Sequence, residues 1–113
     1  MIQELERFIE QIHNEPYNIF TNNCLTKSTK IYEKAKELGF NAELVGCISL
    51  NPVKLLPFAY PFPHVLVEID GIKVDVSFSP EQEEKYFRGD IVSLLPFIVL
   101  KHTEHGNEVK GIY

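Results

Sequence analysis

The chain is poor in the residues that build specialised proteins. It has two cysteines, Cys24 and Cys47, in 113 residues, too few for a disulfide framework. With no third ligand beside them, two thiols also make a poor zinc site. Tryptophan is absent. No apolar run approaches the roughly 20 residues of a membrane-spanning helix. The start, Met1-Ile2-Gln3-Glu4-Leu5-Glu6-Arg7, lacks the layout of a signal peptide. Lysine and arginine number 11 against 16 acidic side chains, a net charge of −5. Scattered basic residues in an acidic chain leave no footprint for nucleic acid or an anionic membrane. No phosphate-binding glycine pattern, internal repeat or low-complexity segment occurs. These absences leave the expectation of one soluble, cytoplasmic domain over residues 1–113, a length that buries one core and not two.

What is present reads as two helices followed by strands. Ile2, Leu5, Phe8, Ile9 and Ile12 recur at helical spacing, so residues 2–13 form an amphipathic helix. Asn14-Glu15-Pro16 ends it, because the residue before proline is pushed out of the α region. A polar connector over residues 17–23 leads to a second helix over residues 24–38. There Cys24, Ser28, Ile31, Ala35 and Leu38 make an inward stripe, and Lys27, Lys30, Glu33, Lys34 and Glu37 take the opposite side. Asn22 or Asn23 serves as N-cap and Gly39 as C-cap. Residues 42–50 alternate as a strand. Residues 51–63 read as a proline-stiffened loop, unusually apolar, with Leu55, Leu56, Phe58, Tyr60 and Phe62. Loops of this length in small domains are often functional. Glu81 to Phe87 is a short charged helix or an irregular excursion, Phe97 to Lys101 a last strand, and residues 102–113 a polar tail that frays or adds an edge strand.

Residues 64–78 read as a β-hairpin turning at Asp70-Gly71. A two-residue turn pairs Ile69 with Ile72, Val67 with Val74 and Val65 with Val76, an apolar face that supports the register. The other face pairs Glu68 with Lys73, Leu66 with Asp75 and His64 with Ser77. His64 and Asp75 are then diagonal neighbours on one face, with Cβ atoms about 7–8 Å apart or less. An imidazole and a carboxylate at that separation can share a hydrogen bond.

Cys24 supplies the third part of a thiol site. A cysteine attacks as thiolate, and the first turn of a helix offers a partial positive field that lowers its pKa. His64 would take the thiol proton and return it to the leaving group, while Asp75 would orient the imidazole. The oxyanion donors would be the backbone N–H of Cys24 and the amide of Asn18 or Asn23. Phe58, Tyr60 and Phe62 in the apolar loop would form a cleft wall. Cys47 reads as a small buried hydrophobe. His102 and His105 have the spacing of two ligands on a helical turn, but their surroundings are a solvated tail. His13 suits the end of its helix, and Ser77 and Ser79 lack a nucleophile-elbow context.

Three segments resemble the transglutaminase-like core within the papain-like cysteine hydrolases. Cys24 to Phe40 is similar to the helix that begins with the nucleophile and ends in Leu-Gly. Asn41 to Gly46 is similar to the strand after it. His64 to Asp75 resembles the His…Gly…Asp hairpin. The resemblance implies an α+β fold, N-terminal helices packed on a small antiparallel sheet, with Cys24 as nucleophile, His64 as base and Asp75 as orienting acid. It implies cleavage or transfer at an amide-type bond in a peptide or amide-containing substrate, with no cofactor and no metal, and leaves the oligomeric state open. Aromatic neighbours that such cores often place before the Cys and after the His are absent here. Two other readings stand beside it: a binding module that keeps the fold without turnover, docking through residues 51–63, and a redox or regulatory thiol protein using Cys24 and Cys47.

Overall fold

A computed structural model describes residues 2–113. Helices α1 (Gln3–Asn14) and α2 (Cys24–Glu37) precede strands β1 (Ala42–Asn51), β2 (Tyr60–Ile69) and β3 (Ile72–Val74). Helix α3 (Pro80–Tyr86) then leads to β4 (Val92–Thr103) and β5 (Gly106–Ile112). The strands form one antiparallel sheet in the order β3-β2-β1-β4-β5. The fold is α+β. Among the described residues, no helix is long and apolar enough to cross a membrane.

The two N-terminal helices pack on one face of the sheet. Leu5 and Ile12 of α1 and Ile31 and Ala35 of α2 meet Ala42, Leu44, Val67 and Ile69 from β1 and β2. Each fully buried aliphatic side chain of this kind contributes about 1.5–3 kcal/mol. Leu44 lies opposite Val67, and Ala42 opposite Ile69, so alternation puts one side of each strand into this core. Val45, Cys47 and Leu66 are buried on the other side as a separate cluster. Where β4 crosses β1, Gly46 faces Ile98. A Cβ there would stand 2.6 Å from Ile98 Cγ1, which is why this position carries no side chain.

The hairpin turn is at Asp70-Gly71, both with positive φ (49° and 82°), as a type I′ turn requires. The β2–β3 register is Ile69 with Ile72, Glu68 with Lys73 and Val67 with Val74. It stops there, so the expected rungs Val65–Val76 and His64–Ser77 are not formed as ladder pairs. β2, by contrast, begins earlier than the apolar-loop reading allows: Asn51 pairs with Tyr60, and Leu50 with Pro61. Prolines at 61 and 63 fit because of parity. Residues 61, 63, 65, 67 and 69 turn their backbone groups away from β1, toward the side where β3 lies. The N–H that proline lacks would have pointed to that outer edge. The outer edge of residues 60–65 therefore has no strand partner among the described residues.

The C-terminal segment is more ordered than a fraying tail. β4 runs over twelve residues, and β5 is an edge strand paired to it through a turn at Thr103–Gly106. His102 and His105 diverge: His102 Nε2 lies 2.7 Å from Glu33 on α2, whereas His105 stands exposed in the turn. They share no ligand geometry.

Lys27 corrects the helical reading most sharply. Expected on the solvent side of α2, it is completely buried. Its Nζ donates to the carbonyls of Glu15 (2.7 Å) and Ser77 (2.9 Å). The first turns of α2 lie beneath the connector and the segment that leaves β3, so a side chain facing out of the helix meets protein rather than water. Burial pulls the Lys27 ammonium down to about 8 from its ordinary 10.5. Between those values the unfolded chain binds more protons at this position than the folded one. The Lys27 contribution to stability therefore rises with pH across that window. Urea titrations over this pH range should show that Lys27→Met loses this upward component relative to wild type. Parallel pH profiles for the two proteins would contradict a buried ammonium.

Candidate active site

Cys24 is brought to its place by capping. Asn23 has extended backbone, and its Oδ1 accepts from the Thr26 N–H and hydroxyl. Its Nδ2 donates to the Ile19 carbonyl. Asn18 builds the turn before it: its Oδ1 accepts from Phe20 N–H and Thr21 N–H, and its backbone exchanges two bonds with Asn22. The Asn23 amide is thus engaged at both ends in shaping the start of α2, and the Asn18 carbonyl in shaping the turn before it. The backbone N–H of Cys24 remains, one of the helix-start donors without a partner inside the helix.

The helix meets β2 at the edge that β3 and the two prolines leave open. Ser28 Oγ donates to the Val65 carbonyl at 3.1 Å, and the Val65 N–H stabilises the Cys24 thiolate. One turn of α2 thus replaces the missing strand rung at Val65. Cys24 could reach His64 if α2 covered the His64 face of the hairpin. The structure solves this differently: α2 covers the apolar face of Val65, Val67 and Ile69, and Cys24 reaches His64 around the open edge.

His64 is 8 % exposed, and its Nε2 lies 2.8 Å from Asp75 Oδ1. With Nε2 so engaged, Nδ1 is the nitrogen left for Cys24. The partner atoms of Asp75 are well supplied. Ser77 Oγ donates to Oδ1 at 3.2 Å and Ser93 Oγ to Oδ2 at 2.9 Å. Ser77 Oγ also stands 3.4 Å from His64 Nε2. The Lys27 ammonium holds the Ser77 carbonyl, which ties a buried cation on α2 to the residue beneath the His–Asp pair.

Electrostatics follow from this geometry. Burial by itself raises the Cys24 thiol, but the hydrogen bond and charge of His64, with the Val65 N–H, outweigh it and leave the pKa lowered. His64 also feels burial, which disfavours its cation. Hydrogen bonds and charge from Asp75 and Cys24 outweigh that and raise it to about 9. Asp75 is held below the ordinary carboxylate value against its own burial, by His64 first and then the two serines. These directions favour a thiolate–imidazolium pair backed by a carboxylate over the neutral pair. Cys47 differs: directly across β1–β2 from His64, it is raised by burial and then by the Asp75 charge. It stays a thiol.

A cavity of about 250 Å³ opens beside Cys24 and His64. Phe62 lines it, but Phe58 and Tyr60 do not and stand exposed away from it. Its walls include Tyr17, Ile19, Val53, Phe78, Phe87 and Ile91, with Ser49, Asn51 and Ser77 among the polar groups. Tyr17 and Phe78 rings are 4.5 Å apart, and Phe78 and Phe87 4.9 Å. Gln82 fixes Tyr17 by bonding both its N–H and its carbonyl. Tyr17 sits in what reads as a polar connector, and Phe78 and Phe87 flank a short helix. They converge only through tertiary folding, and no local pattern marks them as site residues.

No family model, curated protein or solved structure matches this chain.

Iodoacetamide should alkylate Cys24 with an acid onset below that of an ordinary thiol. With His64→Ala the largest lowering group is gone while burial and the Val65 N–H remain, so the onset should move up from its wild-type position. Mass spectrometry of the alkylated protein against pH checks both. An onset unmoved by His64→Ala would mean that His64 and Cys24 do not interact.

Proposed function

We propose that this chain is a small cysteine hydrolase or acyltransferase of the transglutaminase-like, papain-like type, acting on an amide-type bond. The observation that carries the reading is the 2.8 Å contact between His64 Nε2 and Asp75 Oδ1, with Cys24 on the wall of the same cavity as that imidazole, which lowers its thiol against burial. A thiolate, an imidazolium and an orienting carboxylate in this order are the groups such chemistry uses.

The steps balance as follows. Cys24 Sγ attacks the carbonyl carbon, forming a C–S bond, and the oxyanion is met by the Cys24 backbone N–H at the start of α2. The C–N bond breaks as His64 gives its proton to the departing amine. Water or an acceptor amine then attacks the thioester, His64 takes a proton from it, and Cys24 leaves as thiolate. Asp75 keeps the ring oriented and its cationic form stable throughout. A redox pairing of Cys24 with Cys47 draws no support from a buried Cys47 held as a thiol.

p-Nitrophenyl acetate, a small acyl donor, tests the chemistry without testing recognition. It should acetylate Cys24, seen as a burst of nitrophenolate and a mass adduct that Cys24→Ala abolishes. Asp75→Asn should slow acylation by roughly 10²–10⁴-fold, the range for losing general-base function or the imidazole's orienter. Acylation rates indifferent to both His64→Ala and Asp75→Asn would overturn the proposal and leave a binding module on the same fold.

A further inference from the structure

The cavity beside Cys24 carries information about what is acylated. Its apolar walls are Phe62, Phe78 and Phe87 with Val53 and Ile91, and the sole ionisable side chains lining it are Cys24, His64 and the Tyr17 phenol. Burial and then the Cys24 charge raise the Tyr17 pKa, so its hydroxyl stays neutral. A charged substrate group entering here would lose its water and find no counter-charge beyond the pair that does the chemistry. The volume is also limiting. A dry cavity of about 150 Å³ accommodates benzene, so about 250 Å³ takes one aromatic or branched aliphatic side chain with its adjoining amide. An extended long acyl chain does not fit inside it.

One polar group in the wall is unaccounted for. Asn51 ends β1, lines the cavity, and its Oδ1 is buried with no hydrogen-bond partner among the described residues. A buried acceptor left unpaired costs about 1–3 kcal/mol. Its neighbour two positions back, Ser49, is satisfied by donating to the Phe62 carbonyl. Among the polar side chains lining the cavity the orphan is particular to Asn51, and a small turn of its amide toward the cavity would let an N–H donor from a ligand complete it.

The geometry points to a substrate with an uncharged apolar side chain beside the scissile carbonyl. That side chain lies between Phe62, Phe78 and Phe87, and its own amide N–H is donated to Asn51 Oδ1. This rests on the reading of Cys24 as an acylated nucleophile. It makes Asn51 a substrate-binding residue that selects N-acylated apolar amino-acid units over charged ones. These units could reach the site within a peptide or as free N-acyl amides, since the cavity contacts what both have in common.

N-acetylated aminoacyl chloromethyl ketones carrying Phe, Asp or Lys side chains test this. Attack by Cys24 Sγ on the methylene forms a C–S bond and expels chloride, and intact mass against time gives the labelling rate. The Phe reagent should label roughly 100-fold faster than the Asp and Lys reagents, because only those two bury a charge. Replacing the acetamido N–H of the Phe reagent by an ester oxygen should slow labelling about 10-fold in wild type, the loss of one hydrogen bond to a buried acceptor. In Asn51→Ala the amide and ester reagents should react alike, a ratio within one variant that does not depend on its overall reactivity.

Equal rates for Phe, Asp and Lys, or an ester analogue as fast as the amide in wild type, would overturn the inference without touching the thiol chemistry. Failure of p-nitrophenyl acetate to acylate Cys24 would instead remove the reading beneath it. Extending the Phe reagent by further residues separates the two sources: a rate that climbs with length marks a peptide, and a flat one marks a free N-acyl amide.

Discussion

The half-open edge of β2 is the constraint on which the site depends. Pro61 and Pro63 stand opposite Leu50 and Ile48 of β1 in register, turn their backbone groups outward and have no N–H to offer there. β3 accordingly covers only Val67 to Ile69, and the chain departs after Val74. Val65 is left with a carbonyl and an N–H facing outward. Buried backbone groups must find partners, and they find them on the first turns of α2, through Ser28 and Cys24. The contact that satisfies a strand edge is the same one that places a thiol beside His64. Continuing β3 along β2 would exclude Cys24 from this position.

Around that junction the structure concentrates charge that would be costly if unpaired. His64, Asp75 and the Cys24 thiol each lose water, and each is offset by the others. The serines at 77 and 93 fill the remaining acceptor positions of Asp75. Lys27 extends the arrangement one layer down. Its ammonium bridges the connector before α2 and the segment after β3 that carries Asp75 and Ser77, so α2 and the His–Asp pair share a support. Side chains locked by such packing hold reacting groups in geometry that a mobile surface cannot.

How much was readable beforehand follows the range of the interactions. The Asp70-Gly71 turn, the register next to it and the placement of His64 and Asp75 on one face all come from period-two alternation and turn chemistry, which act over a few residues. The N-cap at Asn23 is equally local, and it carries Cys24 into the first helical turn. Lys27 was misplaced because helical periodicity tells which side of a helix a residue faces and not what lies there. The start of β2 at Tyr60 was hidden by its prolines, which argue against a strand until the parity of their missing N–H groups is known. The turn that Asn18 builds through its Oδ1, which accepts from Phe20 and Thr21, carries no signal beyond its immediate neighbours.

The sequence by itself determined the local pieces: a capped helix that opens on a cysteine, a hairpin with histidine and aspartate facing one way, and an apolar stripe to join them. Each rests on neighbours in the chain, so each survives without knowledge of the whole. Tertiary structure alone decided that the helix docks at a strand edge and not over the His64 face. It also decided that Lys27 is buried, and that Tyr17, Asn51, Phe62, Phe78 and Phe87 meet around one cavity. Those residues come from separate segments. Their meeting depends on a sheet order and an open edge that no local pattern encodes.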